Sequence, residues 1–253
     1  MPTDIATVMG TYNRLSLLQA CVESLRRARG SLSQVILVAD GGSQDGTREW
    51  LVKQPDCELL EGGLNGVVAA YNVAFSRAVA IETPHVCVFN DDANFVGPEP
   101  ELQRAVELLR ERPEVGFVNF ATDRYGKWAH LRIFDTVCYG NYGVTRRDVG
   151  MAVARFHGDP TGRTWWNTNF HSYATDTVFG LTLMRLGWRV YEADDWRVHD
   201  SYASSAGDRD PLRARNFAAH TPEQLTYFQK NFGSREFMNY NRQDAETYGG
   251  RVA

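Results

Sequence analysis

The chain has 253 residues, 43% hydrophobic and 23% charged, which is ordinary for a globular protein and enough to bury a sizeable core. Its formal net charge of −4 gives no general attraction to nucleic acid. No apolar run approaches the roughly 18 residues a membrane span needs, and the opening "MPTDIATVMGTYNR" has no basic region followed by an apolar stretch, so no integral membrane segment and a cytoplasmic location are expected.

In chain order, an apolar run from Ile5 to Met9 leads into "GTYNR", and Leu18, Cys21, Val22 and Leu25 then recur at helical spacing. "QVILVA" from Gln34 to Ala39 reads as a second strand ending at "DGGSQDGT", with a helix over Arg48 to Val52. "CELLEG" suits a third strand and alanine-rich Val67 to Ala80 a helix. The continuous apolar run His85 to Phe89 predicts a strand covered on both faces, and it stops at Asn90, Asp91 and Asp92. Pro100 to Arg112 follows as a helix with Leu102, Val106 and Leu109 on one face, and Val115 to Phe120 as a strand.

This alternation predicts an α/β fold of Rossmann-like type, with a mostly parallel central sheet flanked by helices. Beyond Ala121 the rhythm changes. "YGKWAHLRIFDTVCYGNYGVT" predicts a small antiparallel addition, and "FHGDPTGRTWWNTNFHSYATD" a long loop of the kind that usually serves function. A helix over Asp176 to Leu186, with Phe179, Leu183 and Leu186 inward, and a strand "WRVYEAD" precede "WRVHDSYASS", and "PEQLTYFQKNF" in the tail reads as helical. With no repeat or linker, one domain over residues 1–253 is expected, its nucleotide-binding part about 1–120 and its acceptor-side part about 121–253. Cys21, Cys57, Cys87 and Cys138 are scattered, mostly within apolar runs, which suits buried hydrophobes rather than disulfides or zinc ligands.

Ligands of open parallel sheets bind beyond the carboxyl ends of the strands, so the polar clusters after each apolar run should converge there. Thr11 to Arg14, Asp40 to Thr47, Asn90 to Asp92 and, less directly, the Asp176 and His199 regions meet that condition. Adjacent Asp91 and Asp92 at the end of a buried strand are costly to hold without a positive partner. A hard divalent cation bound to a diphosphate is one such partner, and a solvated turn is the structural alternative.

In this order "GTYNR", "VADGGSQDGT", "NGVVAAYN", "FNDDA" and "TDTVFGLTLMRLGWRV" resemble the successive motifs of family-two glycosyltransferases of the GT-A fold, over about residues 5 to 200. The chain departs from the family pattern at Gly41, Asn90 and Thr175, where the family carries a polar residue, a carboxylate and Glu respectively.

The resemblance implies that Asp40 accepts a hydrogen bond from the donor's base and that Thr11, Asn13 and Arg14 lie near the nucleotide. It implies that Asp92 binds Mn²⁺ or Mg²⁺, that Asp91 contacts ribose or sugar or assists the metal, and that His199 completes the metal site. Asp176 becomes the general base that takes the acceptor's proton. Residue by residue the plainer readings stay open: Asp40 starts a turn, Asn72 sits by the nucleoside or caps its helix, and Asp45 caps the helix near Thr47. Asp176 serves as an N-cap in the same plain reading. Trp165 and Trp166 stack on a sugar ring or anchor their loop, and His171 binds acceptor or packs.

The function so implied is metal-dependent, inverting transfer of a sugar from a nucleoside-diphosphate sugar, a UDP-sugar foremost, to an acceptor hydroxyl. Two other classes compete with it. Nucleotidyl transfer would need a Gly-rich, basic phosphate loop after the first strand, which is missing here. A nucleotide-sugar-binding protein without transferase activity would keep the pocket and turn nothing over.

Overall fold

Strand β1 (Ile5–Thr11) shows how the sheet divides its surroundings: Ala6 and Val8 face one core, and Ile5 and Met9 face the other. This is the two-residue period of a strand covered on both sides. The computed structural model of the chain describes residues 3–123, 132–133, 136–137, 140–172, 175–201 and 226. Cys138 and, apart from Thr226, the expected tail helix lie outside them.

The elements follow the order expected. Helix α1 (Leu15–Ala28), β2 (Gln34–Asp40), α2 (Thr47–Leu51), β3 (Cys57–Glu61), α3 (Val67–Ala80) and β4 (His85–Val88) form the parallel part. Then come β5 (Ala93–Phe95), α4 (Glu101–Glu111), β6 (Val115–Thr122), the short β7 (Arg132–Ile133) and β8 (Thr136–Val137), β9 (Gly143–Arg146), α5 (Arg147–Phe156), α6 (Thr175–Arg185) and β10 (Arg189–Asp200). Eight strands pair in the order β3-β2-β1-β4-β9-β6-β10-β5, with β7 and β8 a separate antiparallel pair. Pairings β1–β2, β2–β3, β1–β4 and β6–β10 are parallel, while β9 runs antiparallel between β4 and β6, and β5 antiparallel to β10.

Helices α1, α2 and α4 cover one face through Leu18, Leu25, Leu51, Leu102 and Val106, and α3, α5 and α6 cover the other through Tyr71, Phe75, Val153 and Phe179. Close approach demands small residues at two points. A Cβ on Gly143 of β9 would lie 2.1 Å from the Val118 carbonyl oxygen, and one on Gly150 of α5 2.4 Å from the ring of Trp165.

Three details differ from the expectation. Helix α5 follows β9 directly, where the sequence pattern predicts no helix. β10 continues through a register shift between Ala193 and Arg197, joining "WRVYEAD" and "WRVHD" into one strand. Leu186 lies past the end of α6 and is exposed, whereas Phe179 and Leu183 are inward as expected. Cys21 and Cys87 are buried free thiols and Cys57 is half-buried and free. Among the described residues no helix is long and apolar enough to cross a membrane.

Candidate active site

The carboxyl ends of β1, β2 and β4 carry a polar cluster assembled from the "GTYNR", "VADGGSQDGT" and "FNDDA" motifs. Thr11 closes β1 and donates its hydroxyl to Asp91 Oδ2 at 2.8 Å. Arg14, just before α1, reaches across with Nη1 3.1 Å from Asp91 Oδ1 and 2.8 Å from Asp92 Oδ2. Both aspartates are 5% exposed. Burial raises the Asp91 carboxyl above the usual range even though Arg14 and Thr11 favour its charged form. For Asp92, burial followed by the charges of Asp91 and Asp200 pushes the carboxyl up to about 7, against the pull of Arg14. The cluster is therefore short of positive charge.

Asn13 adopts a left-handed backbone (φ 51°), which short polar side chains tolerate. Its amide donates to Ser43 Oγ at 2.8 Å, and its side-chain oxygen accepts from the Gln44 amide at 2.8 Å, tying the first strand's loop to the second's. Asp45 works the same junction. Its Oδ2 accepts from the Leu15 amide at 2.9 Å, and its Oδ1 from the Thr47 amide at 3.2 Å and hydroxyl at 2.6 Å. The N-cap of α2 is Gly46 rather than Asp45, so Asp45 satisfies first-turn donors of two helices at once.

Asp40 is fully buried. Its Oδ2 accepts from the amides of Gly42 and Ser43, both at 2.9 Å, and from Arg48 Nη1 at 2.8 Å, while Oδ1 accepts from the Ser43 hydroxyl. Burial raises its carboxyl, but the Ser43 hydroxyl, Arg48 and the two amides outweigh that and lower it. Most of its roughly four lone-pair sites are engaged. In this arrangement Asp40 organises the turn of the second motif, the plainer of its two readings.

Asn72, expected at the nucleoside or as a helix cap, is not the cap of α3, whose N-cap is Gly66. From the second turn of α3 its side-chain oxygen accepts from the Trp166 amide at 2.9 Å and its nitrogen donates to the Trp166 carbonyl at 2.8 Å. The Trp-rich loop is thereby strapped across α3. Trp166 stacks on Tyr71 with ring centroids 4.0 Å apart, and Trp165 on Phe75 at 4.8 Å. Trp165 is fully buried, with its Nε1 donating to the Gly162 carbonyl, and Trp166 is 3% exposed. The expectation of a sugar-stacking platform is corrected here: both rings are core anchors, because α3 already offers them aromatic faces. His171 also docks on α3. A Cβ on Gly66 would lie 2.6 Å from its ring, and its carbonyl accepts from the Val68 amide at 3.3 Å. It lines a recess of about 210 Å³ with Asn65, Val68, Ala69, Thr168 and Phe170.

Asp176 lies half-buried in the first turn of α6, its Oδ1 accepting from the Thr177 amide at 2.8 Å. It is a first-turn residue rather than the N-cap, since the helix begins at Thr175. Gly140 packs on this turn: a Cβ there would lie 3.2 Å from the Asp176 carbonyl oxygen. Two residues on, Tyr142 donates to Asp200 Oδ2 at 3.0 Å.

His199 and Asp200 sit side by side near the end of β10 and so face opposite sides of the sheet. His199 Nδ1 bonds to Asp123 Oδ2, and Asp123 Oδ1 accepts from the Asp200 amide at 2.9 Å. Asp200, which the sequence does not mark as a site residue, adds a smaller upward push on the Asp92 carboxyl than burial and Asp91 do. It is held opposite Ala93 by the β5–β10 register, and the neighbouring Ser201 amide donates to the Asp92 carbonyl at 2.9 Å. A half-buried His beside a buried Asp differs in sequence only by residue type, so no spacing signal distinguishes their roles. Among the described residues no group of three or more His, Cys, Asp or Glu is close enough to hold a metal ion.

The family model described as "Glycosyl transferase family 2" matches residues 7–183. The chain belongs to that family and is a glycosyltransferase. No curated protein matches the sequence. Among solved structures it is similar to a mannosyltransferase, PcManGT from Pyrobaculum calidifontis in complex with GDP-Man and Mn²⁺, with 19% identity, TM-score 0.61, and coverage of 97% of this chain and 70% of that one. S. aureus TarS matches with 14% identity, TM-score 0.60, and coverage of 98% of this chain and 44% of that one, so the chain spans less than half of it. TarS 1-349 in complex with UDP-GlcNAc matches with 16% identity, TM-score 0.58, and coverage of 99% of this chain and 76% of that one. At these identities the likeness establishes the fold: α/β, with a mixed, mostly parallel sheet flanked by helices, as in GT-A glycosyltransferases.

Proposed function

We propose that the protein transfers a sugar from a nucleoside-diphosphate sugar to an acceptor hydroxyl with inversion, using a divalent cation. The observation that carries this reading is the Thr11–Arg14–Asp91–Asp92 cluster at the carboxyl ends of β1 and β4, where buried carboxylates outnumber the guanidinium they share. The neighbours support the donor class, being solved with GDP-Man and Mn²⁺ in one case and with UDP-GlcNAc in another.

The donor set fits a hard cation: Asp92, assisted by Asp91, presents oxygen ligands in a buried site where two carboxylates share the one Arg14 guanidinium. Further oxygens would come from the donor's diphosphate and from water, as is common for Mg²⁺ and related ions. When bound, such a cation neutralises charge developing on the leaving diphosphate. Arg14 adds a second positive group beside it. The loops of Asn13 and Asp40, rigidified by their mutual bonds, form the wall against which the nucleoside lies. Asp176 accepts the acceptor hydroxyl's proton as that oxygen attacks the anomeric carbon, a role worth about 10²- to 10⁴-fold in rate. His171 and its recess belong to the acceptor side.

The test is release of nucleoside diphosphate from a panel of UDP- and GDP-sugars, with Mn²⁺, Mg²⁺ or chelator, for the native chain, Asp92→Ala and Asp176→Asn. Cation-dependent release lost in both variants, with donor binding kept in Asp176→Asn and an inverted anomeric centre in the product, is expected. Retention of configuration, or release unaffected by chelator, would overturn the corresponding part. Donor binding without release across a broad acceptor panel would identify a binding protein instead.

A further inference from the structure

The Trp-rich loop crosses α3 between two fixed points and leaves a recess there. At one end the Asn72 side chain holds Trp166 by its amide and its carbonyl. At the other the Val68 amide donates to the His171 carbonyl at 3.3 Å, and Gly66, at φ 96°, lets His171 approach closer than a Cβ would allow. In between the loop turns on itself, with the Phe170 amide donating to the Asn167 carbonyl at 3.1 Å and the Asn169 amide to Asn167 Oδ1 at 2.9 Å. Walls held this way are in place before any ligand arrives, which removes an ordering cost from binding.

The position of the recess follows from the topology. β3 runs parallel to β2, so α3 starts at the carboxyl edge of the sheet. β10 runs parallel to β6, which shares the direction of β4 because both are antiparallel to β9. Helix α6, leading into β10, therefore starts at the same edge, and it covers the same face as α3. His171 stands five residues before Asp176, at most about 18 Å of chain. The recess and the first turn of α6 thus lie at one edge of one face.

The lining selects the chemistry. The recess measures about 210 Å³, below the roughly 300–1,000 Å³ of pockets that take drug-sized ligands, so it suits one ring and not a nucleoside diphosphate. Its deep side is apolar, with Val68 and Phe170 buried and Ala69 half-buried. Its mouth is polar, with Asn65 and Thr168 exposed and His171 half-buried. Among the described residues no Lys, Arg, Asp or Glu lines it, so nothing there is matched to a phosphate or an ammonium group. A lipid chain would leave the polar side chains unanswered. A neutral pyranose, apolar across its C–H faces and hydroxylated at its edges, meets both halves.

We propose that this recess is an acceptor subsite for one neutral monosaccharide unit, making the acceptor a glycan or glycoside whose hydroxyls are held by Asn65 and Thr168. The inference rests on the transferase reading above, which puts Asp176 on the acceptor side.

Saturation-transfer NMR with methyl glycosides of glucose, galactose, mannose and N-acetylglucosamine tests it, with methyl glucuronide and glucose 6-phosphate as charged comparators. The native chain is compared with Ala69→Trp, which fills the recess from α3, and with Thr168→Ala, which removes one hydroxyl at its mouth. Calorimetric binding of UDP and GDP with Mn²⁺, and thermal unfolding, accompany each. A neutral glycoside is expected to bind the native chain and to lose its signal in Ala69→Trp. Its binding to Thr168→Ala is expected to be roughly 3- to 10-fold weaker, the effect of one neutral hydrogen bond. Nucleotide binding stays native in both variants.

No signal from any neutral glycoside, with nucleotide binding intact, would overturn the inference and leave the transferase reading standing. A signal that survives in Ala69→Trp, or a preference for the charged comparators, would overturn it as well. Should Ala69→Trp fail to fold, Thr168→Ala decides, and native affinity there counts against the subsite. Glycoside binding by a chain that binds neither nucleotide would bring down the transferase reading and, with it, the assignment of the bound unit to an acceptor.

Discussion

Asn72 holds Trp166 by both of its backbone groups, its side-chain oxygen on the amide and its nitrogen on the carbonyl. An asparagine side chain used this way imitates a strand partner, and it fixes the Trp-rich loop to α3 at one residue. Asn72→Ala leaves that buried amide and carbonyl without their partner, and a loss of about 2 kcal/mol of stability is expected. Urea unfolding reads the loss, and tryptophan fluorescence shifted to the red reads the loosened ring.

Gly150→Ala puts a methyl group 2.4 Å from the ring of Trp165, which is itself clamped against Phe75. Neither ring can swing aside in a packed core, so a destabilisation of about 1–3 kcal/mol is expected, as for other overpacked sites. A melting temperature equal to the native value would show that α5 can shift away from the loop.

Arg14→Ala removes the guanidinium shared by Asp91 and Asp92. Without cation the variant is expected to lose about 2 kcal/mol, less than for a fully buried pair because the Arg14 side chain is 30% exposed. Added Mn²⁺ then raises its melting temperature more than it raises the native protein's, since the ion restores a positive charge the variant lacks. Equal shifts in the two proteins would mean that Arg14 and the cation do not share these carboxylates.

His157 follows α5, with Nε2 3.0 Å from the Thr182 hydroxyl. Burial depresses its imidazole from 6.5 to about 4. The sign follows from proton uptake: between these values the unfolded chain binds a proton that the folded chain does not, so stability is full above pH 6.5 and is lost as pH falls towards 4. His157→Gln, which keeps a polar partner for Thr182, should flatten that part of the pH–stability curve. A variant curve parallel to the native one would assign the acid loss elsewhere.

The parallel half of the fold was legible because its strands are continuous apolar runs and its loops are polar. Helix α3 falls on Val67–Ala80 as expected, its start marked by Gly66. Helix α5 escaped because no turn separates it from β9 and because Arg147, Asp148 and Arg155 interrupt its apolar positions. β10 read short because the exposed Asp194 and Asp195 fall at its register shift.

Within the site, Asp91 and Asp92 announced themselves by ending a buried run, and Thr11, Asn13 and Arg14 by following one. Asp40 was legible as a turn former, whereas the hydrogen bonds that cover it were not. Asp200 was illegible for a physical reason: its tie to Asp92 depends on antiparallel pairing with β5, a strand of three residues with no periodicity to detect. Trp165 and Trp166 look alike whether they pack or stack on a ligand, and only the aromatic faces of α3 decide it.

The position of β10 in the chain has a consequence for synthesis. Asp92 emerges from the ribosome early, with β1, β2 and α1 already made, yet the Ser201 amide and Asp200 carboxylate that flank it arrive only after β10. Every side chain of the Thr11–Arg14–Asp91–Asp92 cluster is thus made before β10, and a chain stopped before Ser201 would carry that cluster without the backbone bond that Ser201 gives the Asp92 carbonyl.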